Sequence, residues 1–371
     1  MKNWIVTIIF FLNITISSTA KSHPKPINFK PIAIILKEAL EQRLFTHGAL
    51  IIGNRQGIIF ESYVGDAKPY HLYDVASLTK VMSTTPLMIQ LLDQGGLDLQ
   101  TPLNEIFPDF VDNQKPNVTI DHLLRHEGGL AAGLPLLDLE FYEQYLNRIL
   151  KAPLSYQPGT KMVYSDIAFI ILGHALEKYY QQDLKVLSQK NVFTPLKMNS
   201  TFYGCPEEQK LNCVPTSQII ENHFRIHDPV AKQFSKNSLG HAGVFTTLHD
   251  LGLYGQFLLG KSVLDGRRLY SEAWHEKMTT ILDGQIRGLG FDVLSPFSTA
   301  PRGNVFEAGT SYGHTGFTGT TLWIDPVSGN FYGFLSNRTY DEHLNNQKAF
   351  IIFRKNLATA IGEIVTKNIP N

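Results

Sequence analysis

The chain has 371 residues, of which 43% are apolar and 18% charged, with 33 basic residues balanced by 33 acidic ones. That composition describes an ordinary soluble globule large enough for one big domain or two closely packed ones. A formal net charge of zero excludes the broad electrostatic footprint of a nucleic-acid binder or an anionic-membrane binder.

The first 20 residues, MKNWIVTIIFFLNITISSTA, read as a signal peptide: Lys2 supplies the positive start, Trp4 to Leu12 the apolar core, and Ser18-Thr19-Ala20 the small residues before cleavage. The apolar run is too short for a comfortable membrane span. The mature chain is therefore expected to be periplasmic or secreted, without stable membrane insertion. Residues 21–31 form a proline-rich lead-in, and residues 32–371 the folded domain.

Ile32, Ile35, Leu36, Ala39, Leu40 and Leu44 make the stripe of an amphipathic helix over 32–44. GALIIGNRQGIIFESYVG then reads as a hairpin turning at Asn54-Arg55-Gln56-Gly57. From Ser77 to about Leu259 helical patterns dominate, including Asp166 to Tyr180 and Leu248 to Leu259, punctuated by proline and glycine. Strand character returns in RGLGFDVL, SYGHTGFTGTTLWIDP and GNFYGFLSN, with a turn over Pro326 to Gly329. A last helix spans about Leu344 to Val365. Early and late strands are expected to form one antiparallel sheet flanked by the first and last helices. This sheet lobe takes about 32–70 and 285–371, and an inserted helical lobe takes about 71–284. Cys205 and Cys213 share one polar loop, which in an exported chain suggests a local disulfide.

The stretch with chemical content is Ser77-Leu78-Thr79-Lys80, placed at or just inside a helix N-terminus. Residues three apart share a helix face, so the Lys80 amine can reach the Ser77 hydroxyl. A serine alcohol needs a neighbouring base to become a nucleophile, and a partly desolvated amine crowded by cations would be neutral enough to act as one. The spacing alone is common: Ser18–Lys21 and Ser22–Lys25 share it without meaning. Two later stretches complete a set, Tyr164-Ser165-Asp166 at a helix start and His314-Thr315-Gly316 on a late strand.

In this order the three elements resemble the serine β-lactamase and penicillin-binding-protein superfamily, in its class C β-lactamase, D-alanyl-D-alanine carboxypeptidase and family VIII esterase branch. HLLRHEGGL, PGTKMVYSD, NVFTPLKMNSTFY, GHAGVF and LGFDV carry the likeness across about Ala49 to Asn337. The resemblance implies a mixed α/β (α+β) fold of the β-lactamase/transpeptidase type and an exported serine hydrolase that cleaves an ester or amide through a Ser77 acyl-enzyme. It implies Ser77 as nucleophile, with Lys80 and Tyr164 sharing the base work, and an oxyanion hole built from the Ser77 and Phe317 backbone N–H groups. Asp166, His314, Thr315 and Gly316 would contact substrate, with Gly316 letting it lie close to the strand. Tyr164 acts as a base only as a phenolate or within a relay, which cations nearby must favour.

Two departures stand out. Asp166 occupies a position where asparagine is most common, and an ionised carboxylate only accepts hydrogen bonds. His314 stands where relatives often carry lysine. If the two face each other, Asp166 would hold His314 protonated toward neutrality. His126 and Glu127, in place of the small polar residues usual after the leucine pair, receive no assignment. The expected substrate is a small molecule or a peptidoglycan-derived compound, with no cofactor, no metal and a monomeric chain. A zinc hydrolase built on His122 and His126, four apart, and a sensor that acylates without turnover are the competing readings.

Overall fold

The computed structural model describes residues 27–110, 118–219, 221, 224–341 and 347–368. The expected signal peptide and most of the expected lead-in lie outside the described residues. The first helix, Lys30–Glu41, opens earlier than its apolar stripe suggests because Pro31 sits in its first turn, where a missing N–H costs nothing.

Strands β1 (His47–Asn54) and β2 (Gly57–Gly65) form the first hairpin. Asn54 turns it, its Oδ1 accepting from the N–H groups of Gln56 at 2.9 Å and Gly57 at 3.2 Å. Three short elements follow: β3 (Tyr73–Asp74), β4 (Phe202–Tyr203) and β5 (Val244–Thr246) make a small antiparallel sheet in the order β3-β5-β4. A peripheral hairpin joins β6 (Val263–Leu264) to β7 (Arg267–Arg268). Strands β8 (Tyr312–Thr315), β9 (Thr321–Asp325) and β10 (Asn330–Ser336) complete the main sheet, whose order is β2-β1-β10-β9-β8 with antiparallel pairs throughout.

Alternation along β1 sorts the core into two layers. Leu50 and Ile52, with Trp323, Tyr332 and Phe334, face Ile32 and Leu36 of the first helix and Phe350, Phe353, Leu357 and Ile361 of the last, Gln347–Asn368. Ala49 and Ile51, with Leu322, Ile324 and Phe331, join the larger cluster that includes Leu251 and Phe257 of the helix Leu248–Leu259. Each fully buried large aliphatic side chain contributes about 1.5–3 kcal/mol. Helix Asp166–Tyr180 is buried almost all round from Ile167 to Leu176, which fixes its first turn in the interior.

One local outcome differs from the sequence reading. RGLGFDVL is not a ladder strand; it folds back on itself, Gly288 N–H to Phe291 O at 3.0 Å, with Gly290 at φ +79. Its two internal glycines favour the turn over an extended run. The Ser77 stretch enters its helix where expected: Leu78 and Thr79, directly after Ser77, are helical, and the helix continues as a π-type turn over Lys80–Thr84.

Cys205 and Cys213 are disulfide-bonded. The bridged loop pairs with the chain just before β3: Leu72 N–H donates to Asn212 O and Val214 N–H to Leu72 O, both at 2.8 Å. The cross-link therefore braces the segment that leads into Ser77. Among the described residues no helix is long and apolar enough to cross a membrane.

Candidate active site

Ser77 is delivered by a strained turn. Val75 is tied to β5 through Val244 O at 3.0 Å. Ala76 then adopts φ +47, a left-handed conformation unfavourable for a residue with a Cβ, and its N–H is held by Asp74 Oδ1 at 2.8 Å. The Asp74 carboxyl is buried, which pushes it up to about 6 against its backbone hydrogen bonds from His227 and Ala76. Thr318 Oγ1 donates to Asp74 O at 2.7 Å and Thr320 Oγ1 to Val75 O at 2.9 Å, so the β8–β9 turn clamps the same segment from above.

That clamp explains Gly316. A Cβ there would lie 2.1 Å from Thr320 Oγ1 and 2.3 Å from Val75 O. The glycine is required by the packing of the turn against the Ser77 segment, a reason different from room for substrate.

Lys80 is fully buried and its Nζ has three partners: Asp166 Oδ1 at 2.7 Å, Ser77 Oγ at 3.0 Å and His241 O at 3.1 Å. Three acceptors match the three donors of an ammonium. Burial by itself lowers the proton affinity of Lys80, but the Asp166 charge, then Tyr164, outweigh it and the group is raised. The resting lysine is thus a held cation, whereas the sequence reading had it as a neutral amine.

Asp166 opens its helix beside the N-cap Ser165, whose Oγ accepts from Ala168 N–H at 3.3 Å and donates to Ala131 O at 2.6 Å. Its carboxylate is taken by Lys80, and it is not among the side chains lining the cleft. The expected coupling of Asp166 to His314 does not form. His314 is buried, donates from Nδ1 to Thr315 O at 2.8 Å, and is pushed well below the usual histidine range by burial, then by Arg287 and Lys80. It is a neutral imidazole, not the protonated one foreseen.

Tyr164 stands at the centre of the arrangement. Lys80 Nζ lies 5.1 Å from its ring centroid, the Arg287 guanidinium carbon 5.7 Å, and the His126, His314 and Phe297 rings 4.4, 5.9 and 6.0 Å. His126 has φ +61, and its Nδ1 accepts from Ser165 N–H at 3.0 Å, which orients the residue after Tyr164. Burial, then Arg287, keep this imidazole neutral too. His122 is engaged elsewhere, capping its own helix through Thr119, so the two histidines serve separate elements.

The cleft has a volume of about 300 Å³, and Ser77, Tyr164, Arg287, His314, Thr315, Gly316 and Phe317 are among its lining residues. Among the described residues neither Ser77 N–H nor Phe317 N–H is spent on a loop or turn hydrogen bond. The Phe317 backbone is fixed by Arg338 Nε donating to its carbonyl at 3.0 Å and by its ring stacking on His227. The structure thus brings Ser77, Lys80, Tyr164, His314, Thr315 and Phe317 together. Residues that sequence reasoning left without a role are His126, His241, Arg287 and Asp292. His126 and Arg287 lie in HLLRHEGGL and next to LGFDV, stretches that carried the resemblance, so their context was the available signal.

Comparisons with known proteins bear on the fold and the family. The Beta-lactamase family model matches residues 35–355. A protein of Escherichia coli (strain K12) with the provisional name D-alanyl-D-alanine carboxypeptidase is 28% identical over 348 residues, covering 81% of this chain and 80% of its own. A penicillin-binding protein homolog from Caulobacter crescentus shares the fold at TM-score 0.69, with 17% identity over 92% of this chain and 100% of the other. The D-alanine carboxypeptidase AmpC from Burkholderia cenocepacia does so at 0.67, with 20% identity over 87% and 97%. With the family model spanning most of its length, the chain belongs to the Beta-lactamase family and is an enzyme of the serine-hydrolase type.

Proposed function

We propose that this exported enzyme cleaves an ester or amide of a small-molecule or peptidoglycan-derived substrate through an acyl-enzyme on Ser77. The observation that carries the reading is the buried Lys80 ammonium 3.0 Å from Ser77 Oγ and locked by Asp166. An ammonium cannot take the serine proton, so Tyr164, as phenolate, is assigned that step, and Lys80 steadies both oxygens. Ser77 Oγ bonds to the carbonyl carbon, the carbonyl π pair moves to oxygen, and the Ser77 and Phe317 N–H groups receive the oxyanion. Collapse breaks the bond to the leaving group, which regains the proton from Tyr164. Water then repeats the sequence to release the acid and restore Ser77.

Asp166 serves Lys80 and offers no donor to a substrate amide carbonyl, which favours esters over amides. Thr315 and His314, at the cleft wall, are assigned to substrate contact. The test is turnover of a p-nitrophenyl ester, a penicillin and a D-alanyl-D-alanine peptide by wild type and Ser77→Ala. Turnover of the ester that vanishes in Ser77→Ala supports the proposal. Ester turnover that survives in Ser77→Ala, or that a chelator abolishes, contradicts it.

A further inference from the structure

Asp74 sits three residues before Ser77, is 1% exposed, and forms no ion pair with a lysine or arginine among the described residues. A carboxyl taken out of water without a cation beside it is costly, so its retention calls for a use. Its hydrogen bonds show where that use lies. Oδ1 accepts from Ala76 N–H at 2.8 Å and Oδ2 from His227 N–H at 2.7 Å, and its backbone carbonyl accepts from Thr318 Oγ1 at 2.7 Å.

Each of those three partners adjoins one half of the oxyanion hole assigned above. Ala76 is the residue before Ser77, and its left-handed φ of +47 leads into the helix that starts at Leu78. A residue with a Cβ stays in that conformation only where its surroundings hold it. Thr318 is the residue after Phe317. His227 reaches Phe317 itself: the two rings stack, with centroids 5.4 Å apart and planes 19° from parallel. Phe317 is 55% exposed and therefore depends on such props, the other being the Arg338 guanidinium, whose carbon lies 4.6 Å from the ring. Arg338 ties Phe317 to the exit of β10, whereas Asp74 ties it to the Ser77 turn. An oxyanion hole works only if its two donors keep the spacing that the tetrahedral oxygen needs.

We propose that Asp74 is a positioning residue for the oxyanion hole, setting the separation of the Ser77 and Phe317 N–H groups through Ala76 on one side and His227 on the other. The inference rests on those two N–H groups receiving the oxyanion, as assigned above.

The experiment compares wild type, Asp74→Asn and His227→Ala at a pH well above the value of about 6 to which burial pushes the Asp74 carboxyl. Asparagine keeps the shape but offers one acceptor oxygen to two N–H donors, so one tie is lost. His227→Ala keeps the backbone N–H and its bond to Asp74, and removes only the ring against Phe317. One readout is the isotope-edited infrared carbonyl band of the acyl-enzyme formed from p-nitrophenyl cinnamate, which hydrogen bonds from the hole move to lower wavenumber. The other is kcat and KM for p-nitrophenyl acetate. Both variants raise the band, and kcat/KM falls roughly 10- to 100-fold in Asp74→Asn and less in His227→Ala. A band unmoved in either folded variant overturns the proposal, because each removes one link; a fall in rate without that shift marks a structural brace only. If Asp74→Asn does not fold, His227→Ala decides alone by whether its band rises. Wild type separates the two claims. An acyl band no lower than that of the free ester in an apolar solvent defeats the oxyanion reading, whereas a lowered wild-type band that the variants leave in place defeats only the role of Asp74.

Discussion

Lys80 Nζ is nearer to Asp166 Oδ1, at 2.7 Å, than to Ser77 Oγ, at 3.0 Å. The carboxylate at the start of the Asp166–Tyr180 helix therefore sets the charge state of the lysine beside the serine. Asp166→Asn keeps the shape and removes the charge. Burial is then unopposed by its main counterweight, and the Lys80 proton is lost at lower pH. The alkaline limb of ester acylation is expected to move to lower pH, measured as kcat/KM against pH. An unmoved limb would mean that Lys80 holds its proton for another reason.

Gly316 is predicted to be intolerant of even a methyl group. In Gly316→Ala the new Cβ overlaps Val75 O, two residues before Ser77, and Thr320 Oγ1. The backbone atom cannot swing aside, so the turn and the serine segment must separate. The expected result is a destabilisation of about 1–3 kcal/mol and a fall in acylation rate. Urea melts and burst kinetics on an activated ester check it. Wild-type values in both would show that the clamp is softer than its geometry.

His275 is predicted to make the fold acid-sensitive. Burial first, then Lys261 and Arg268, lower it to about 4 from 6.5. Its Nδ1 meets Ser262 Oγ at 2.9 Å. Between those two values the unfolded chain binds the proton and the folded one does not, so stability is full above the unfolded value. It is lost as pH falls toward the folded value, by about 2–3 kcal/mol. His275→Gln removes the titration. Urea midpoints near neutrality and at about pH 4.5 should differ less in the variant than in wild type. Equal differences would assign the acid sensitivity to other groups.

Much of this could be read from the chain. Period-two alternation in the first hairpin and in GNFYGFLSN identified the central strands, and the apolar stripes of the terminal helices identified what covers one face. The three motifs were legible because each is local: Ser77 and Lys80 are three apart, and Tyr164 and Asp166 two apart. What escaped is non-local. Nothing in spacing aims Asp166 at Lys80, across 86 positions, instead of at His314; only the depth of the Asp166 helix does that. His126 reaches Tyr164 through a single left-handed residue, and Arg287 through a glycine turn that reads as a strand on composition. The charge of Lys80 likewise depends on which carboxylate the fold brings to it.

The central claim is that Ser77 is the nucleophile, and its most direct test is peptide mass spectrometry after reaction with a fluorophosphonate. The account predicts a single adduct on the peptide carrying Ser77, absent from a folded Ser77→Ala and suppressed when a slowly hydrolysed ester is added first. An adduct on another serine, or undiminished labelling of Ser77→Ala, would contradict it.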